Sequence, residues 1–177
     1  MKSISAALLC AATLATLGGC ASLPASGQSA QAVLQATQGN TVSGTVRFTQ
    51  QGDQLLMEAT IAGLSPGPHG FHIHEKGDCS APDATSAGGH FNPGKTEHGD
   101  PAHGAHHGGD FGNLNADADG KAVLRLSVLT SQINLSKDQS NSILGKGLIV
   151  HGGADDFQTQ PTGNSGKRVA CGVITAQ

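Results

Sequence analysis

Three short runs near the start of the chain, residues 31–37, 41–49 and 54–64, carry β-branched or alternating apolar residues, and turn chemistry cuts each one off. Val42, Val46 and Phe48 mark the second run, and Leu55, Met57, Ala59 and Ile61 mark the third. Apolar residues spaced two apart describe a strand with one buried face, and Gly39-Asn40 and residues 50–53 are suited to the turns between such strands. Residues 71–74, 122–129, 147–151 and 169–175 are further strand candidates. With 26 glycines in 177 residues, long helices are disfavoured, because glycine destabilises helix interiors. The pattern predicts one all-β domain, an antiparallel sandwich or barrel. Two stretches, 75–113 and 152–168, do not fit strands. Loops of such length in a compact domain are usually functional.

The N-terminus has a different character. One lysine, Lys2, precedes an almost uncharged stretch from Ile4 to Gly19, shorter than a bilayer-spanning helix requires. Leu17-Gly18-Gly19-Cys20 resembles the bacterial lipobox, in which the signal is removed and the cysteine takes a lipid. That resemblance implies a signal peptide at 1–19, a lipidated Cys20 and a flexible tether at 20–29. The domain then occupies 30–177. It also implies the periplasm of a Gram-negative bacterium, with Ala21 favouring the outer membrane, so that the lipid anchor is the only membrane contact. Of four cysteines, Cys10 lies in the signal and Cys20 is acylated. Cys79 and Cys171 are left, with an oxidising compartment available to pair them.

Charge excludes one class of partner. Only 13% of residues are charged, the formal net charge is −3, and Trp and Tyr are absent. There is no basic field for a phosphate backbone and little to stack on bases, so no nucleic acid is expected.

Histidine is the residue this chain concentrates. Eight of the nine histidines lie between positions 69 and 107. His72 and His74 flank Ile73, so on a strand both imidazoles leave the same face. His90, His98 and His107 follow at intervals of eight and nine, Asp110 lies three beyond His107, and His151 ends an apolar run. Nitrogen ligands with one carboxylate suit zinc, copper, iron or nickel rather than calcium or magnesium.

The blocks Gly70-Phe71-His72-Ile73-His74, Gly89-His90-Phe91-Asn92-Pro93, His107-Gly108-Gly109-Asp110, Val150-His151 and Gly166-Lys167-Arg168-Val169-Ala170-Cys171-Gly172 occur in this order. Together they resemble the copper/zinc superoxide dismutases over about residues 30–177. The resemblance implies an eight-stranded Greek-key β-barrel with long metal-binding and active-site loops. It implies one copper held by His72, His74, His90 and His151, and one zinc held by His90, His98, His107 and Asp110. The implied substrate is superoxide, dismutated to dioxygen and hydrogen peroxide. His90, shared by the metals, and Arg168, a docking cation for a small anion, are the implied catalytic residues. Asp155 matches a carboxylate that links His72 to His98, and Cys79 and Cys171 match the family's disulfide. A noncatalytic copper/zinc carrier on the same barrel is the alternative; loss of a copper histidine or of the arginine would favour it, and all are present.

Other histidines and motifs carry less. His69 matches a structural position, and His103 and His106 have no ligand counterpart. The segment after His151 lacks the charged cluster of eukaryotic relatives, which leaves steering to Arg168 and lysines such as Lys76 or Lys95. Its shortness suggests the family's bacterial branch, with monomer and homodimer both open. Residues 89–96 satisfy the phosphate-loop pattern letter for letter, but no apolar strand precedes them and no helix pattern follows. Residues 115–120 open like a calcium loop, yet Leu126 stands where glutamate is needed, and a turn through Asp119-Gly120 explains them.

Overall fold

The computed structural model describes residues 27–177; the signal peptide expected at 1–19 and the lipidation expected at Cys20 lie outside the described residues. Nine strands follow in chain order. They are β1 (Ser29–Ala36), β2 (Ser43–Gln51), β3 (Gln54–Ala62), β4 (Gly67–His74), β5 (Asp110–Ala116), β6 (Ala122–Leu129), β7 (Gly147–His151), β8 (Arg168–Val173) and the two-residue β9 (Thr175–Ala176). Eight lie along one antiparallel path, β5-β4-β7-β8-β1-β2-β3-β6, and β9 pairs with β1. The two ends of the path, β5 and β6, pack against each other and close the sheet into a barrel-like form. β7 returns beside β4 after the consecutive β4, β5 and β6, which is Greek-key order.

The barrel is filled from every side by inward residues, among them Leu34, Val46, Phe48, Met57, Ile61, Phe71, Ile73, Leu114, Leu148 and Val150. Burial along β3 alternates strictly, as its sequence predicts, with Leu55, Met57, Ala59 and Ile61 inside. β4 differs: from His69 to His74 every residue is buried. Its inner face, Phe71 and Ile73, joins the core, while its outer face is roofed by the loops 75–109 and 152–167. The expectation of a loop running from 75 to 113 is corrected here, because Asp110–Ala116 is a strand paired with β4. Its asparagines and Gly112, with φ +74°, are poor strand residues and hide it in the sequence. The β4–β5 register also slips between Gly70 and His72, so β5 follows no simple alternation.

Two devices fix the long loop after β4. Cys79 and Cys171 form a disulfide across a sequence separation of 92, joining the loop to β8. Closing so long a loop restricts the unfolded chain by about 4–5 kcal/mol in the entropy model. The Arg168 side chain, at the start of β8, donates from Nη1 to Ala84 O and from Nη2 to Gly88 O, each at 2.6 Å. The calcium-like segment is a tight turn in which Asp117 Oδ1 accepts from the amides of Asp119 and Lys121. Among the described residues, no helix is long and apolar enough to cross a membrane.

Candidate metal centre

The period of two on β4 sends His72 and His74 out of the same face, opposite Phe71 and Ile73. β7 pairs with β4 through Phe71↔Val150 and His72↔Ile149, which brings His151 at its end alongside. His90 arrives from the loop through a bridge to His74, secured by the Phe91 amide donating to Ile73 O at 2.8 Å. The returning chain is held by Ile73 N donating to Gly109 O at 2.9 Å. A Cβ at Gly109 would lie 2.6 Å from Ile73 O and 2.9 Å from Phe91 O, so only glycine permits this approach. The turn places His107 and Asp110 next to His90.

Two clusters result. One ligand atom from each of His72, His74, His90 and His151 lies within 4.8 Å of the others, and the same holds for His90, His98, His107 and Asp110. All seven residues are buried, and His90 belongs to both clusters. In the first, one nitrogen of each ring is engaged: His72 Nε2 with Asp155 Oδ2 at 2.7 Å, His74 Nδ1 with Gly88 O at 2.9 Å, His90 Nδ1 with Asp110 Oδ1 at 2.8 Å, and His151 Nδ1 with Gly166 O at 3.2 Å. The other nitrogen, Nδ1 of His72 and Nε2 of His74, His90 and His151, is buried without a hydrogen-bond partner. Four such orphans converging are costly unless something binds them. Imidazole nitrogens alone suit copper.

The second cluster centres on the Asp110 carboxylate, with His90 Nδ1 at 2.8 Å, His107 Nδ1 at 3.4 Å and His98 Nδ1 at 3.0 Å from its oxygens. Ligand bonds of about 2.0–2.1 Å in a tetrahedron put neighbouring ligand atoms about 3.3 Å apart, so this donor set fits zinc.

Burial also sets the protonation states. Desolvation lowers His74 to about 2, His151 to about 3 and His90 to about 4, the last against the pull of Asp110. These rings are neutral at neutral pH, with lone pairs free for a cation. Desolvation also pushes His98 down, but its hydrogen bonds to Asp110 and Asp155 prevail and raise it to about 9. Both carboxyls face histidines and are held below the usual carboxylate range although burial opposes this.

The loop 152–167 orients the rings. Asp155 accepts from His72 through Oδ2 at 2.7 Å and meets His98 Nε2 through Oδ1 at 2.9 Å, bridging the two clusters. Asn113 grips the Asp155 backbone, its Nδ2 donating to Asp155 O at 3.0 Å while its Oδ1 accepts from Asp155 N at 2.8 Å. Gln160 grips the His98 backbone in the same two-bonded way. At Gly163, with φ +65°, any Cβ would collide with Asp155 Oδ1 and His98 Nε2. Neither Asn113, Gln160 nor Gly163 stood out in the sequence; the pair Asn113 and Gln160 act on backbone groups, which sequence spacing does not reveal.

The remaining candidates fall outside the clusters. His69 is buried and spans His151 O and Ser65 O, each at 2.8 Å, so it supports the end of β7. His103 is exposed and paired with Asp100 at 3.0 Å, and His106 is half-buried beside Gly104 O. Arg168 reaches the centre indirectly, since Gly88 O accepts from both Arg168 Nη2 and His74 Nδ1. Desolvation lowers its pKa from the usual guanidinium value.

Comparison with known proteins agrees with the barrel and its clusters. A solved structure titled "Crystal Structure Analysis of the clock protein EA4" is similar at 39% identity and a TM-score of 0.75, covering 85% of this chain and 95% of that one. The family described as Copper/zinc superoxide dismutase (SODC) matches residues 42–174, from β2 through every cluster residue and Arg168 to the end of β8. By sequence and by fold, the chain belongs to the copper/zinc superoxide dismutase family.

Proposed function

We propose that this protein dismutates superoxide. The observation that carries the reading is His90, one buried imidazole whose Nε2 faces the four-histidine cluster while its Nδ1 faces the Asp110 cluster. Copper belongs at His72, His74, His90 and His151, and zinc at His90, His98, His107 and Asp110. When bound, copper supplies the alternating one-electron chemistry and zinc a redox-inert cation. One superoxide gives up an electron and leaves as dioxygen; a second takes up one electron and two protons and leaves as hydrogen peroxide. His90 Nε2 is the proton-holding atom, protonated in one half of the cycle and donating to the nascent peroxide in the other. Its Nδ1 stays committed to the second cluster, so the ring keeps its place while Nε2 changes state. Arg168 draws the anion in; the carbonyls of Ala84 and Gly88 hold two of its donors and fix the guanidinium plane. Asp155 keeps the His72 and His98 rings aimed.

The purified protein loaded with both metals is expected to dismutate superoxide near the diffusion limit, a rate class already known for superoxide dismutase. A fully metallated sample without that activity would overturn the reading. It would favour the noncatalytic carrier, which the likeness to a protein titled for a clock role makes worth separating.

The placement rests on residues 1–21. The lipobox-like Leu17-Gly18-Gly19-Cys20 supports a lipoprotein of the Gram-negative periplasm, anchored to the outer membrane through Cys20. Cys20→Ser is expected to release the protein into the soluble fraction, and unchanged membrane association would refute lipidation.

A further inference from the structure

His98 belongs to the second cluster but to no strand, and unlike His90 it makes no bridge to one. It sits in the loop between β4 and β5, and the residues beside it, Glu97 and Gly99, are likewise outside regular structure. Ring and backbone are nonetheless both held from the opposite loop. Asp155 Oδ1 holds Nε2 at 2.9 Å. Gln160 takes the backbone: its Oε1 accepts from His98 N at 2.9 Å and its Nε2 donates to His98 O at 2.8 Å. The two bonds join residues 62 apart and replace the pair that a neighbouring strand would supply.

The loop that carries Gln160 is braced by its own contacts. Asp156 Oδ1 accepts from the amides of Gln158 and Thr159, and Asp156 Oδ2 from the Thr159 hydroxyl. Gly163 N donates to Thr159 O at 2.7 Å, and Asp156 N to Gly163 O at 2.9 Å. The side chain of Gln160 therefore reaches across from a fixed base. It makes no hydrogen bond to a ring of either cluster and meets His98 through the main chain.

We propose that Gln160 is a positioning residue for zinc: by clamping the His98 backbone, it sets Nδ1 in register with His90, His107 and Asp110 and slows release of the ion. The proposal rests on the zinc assignment made above. It assigns the loop 152–167 two separate holds on one ligand, Asp155 for the direction of the ring and Gln160 for the place of its Cα.

The test is Gln160→Met, which keeps the length of the side chain and removes both bonds, with Gln158→Met as the control because the Gln158 side chain makes no hydrogen bond. The full-length protein is loaded with copper and zinc, and zinc release to a chelator is timed. A second sample carries Co²⁺ in the zinc cluster, and its visible spectrum reports ligand geometry. Gln160→Met is expected to release zinc about tenfold faster, in the range found when groups that orient a metal ligand are lost. Its Co²⁺ bands should change, its His98 amide should exchange faster, and the metal-free variant should melt with the wild type. Release and spectrum equal to wild type would overturn the proposal, and so would a metal-free melting temperature lowered as far as that of the loaded protein. Failure of the wild type to take up Zn²⁺ or Co²⁺ at this cluster would instead bring down the zinc assignment, and the clamp's role with it.

Discussion

β3 and β4 are strands of nine and eight residues in one barrel, yet β3 buries four of its residues and β4 six. On β3 the inward residues Leu55, Met57, Ala59 and Ile61 are covered, and Leu56, Glu58, Thr60 and Ala62 face outward, exposed. On β4 the inward Phe71 and Ile73 join the same core, and the outward His72 and His74 are buried as well. The strands have the same period; what differs is the covering. Loop 75–109, pinned by the disulfide and by Arg168, and loop 152–167 close over the outer face of β4. The barrel therefore has two interiors, one filled with hydrocarbon and one lined with imidazole. The second is dry enough to keep His74, His90 and His151 neutral and is therefore ready for cations.

If the two interiors are separate, damage to one should leave the other's readout intact. Phe48→Ala in the core is expected to cost about 3–5 kcal/mol in denaturant unfolding. Purified folded protein should still hold its full copper and zinc, and loss of either metal would show that the compartments are coupled. A smaller effect is expected in the other compartment. Asn at position 155 can accept from only one of His72 and His98, so Asp155→Asn should weaken metal binding about 10–100-fold by chelator competition. The unfolding midpoint of the metal-free protein should stay near wild type. A large drop there would mean that Asp155 serves the barrel rather than the centre.

The sequence announces these two interiors unequally. β3 alternates along its length and β2 through Val46–Phe48 because one face meets water, and Val46, Phe48, Met57 and Ile61 could be placed inward by period alone. β5 could not, because it combines Gly112, Asn113 and Asn115 with a register slip, and its Asp110 and Asn113 serve the site instead of the core. The histidines and Asp110 stand out because metal chemistry restricts residue type, and family order sorted them into sets that the structure brings together. The amide clamps are silent in the sequence. Asn113 and Gln160 bind backbone groups of Asp155 and His98, which any residue carries, so only the fold gives them partners. Gly163 is equally silent, one glycine among 26, and only its φ and closeness to Asp155 show why it is needed.

Two candidate metal clusters share His90 and have no other member in common. His151 touches only the first. Metal content and dismutation measured together on His151→Ala, after loading with both ions, test that division most directly. Copper and activity should be lost while zinc stays at the wild-type level. Loss of both metals, or retention of copper with activity, would contradict it.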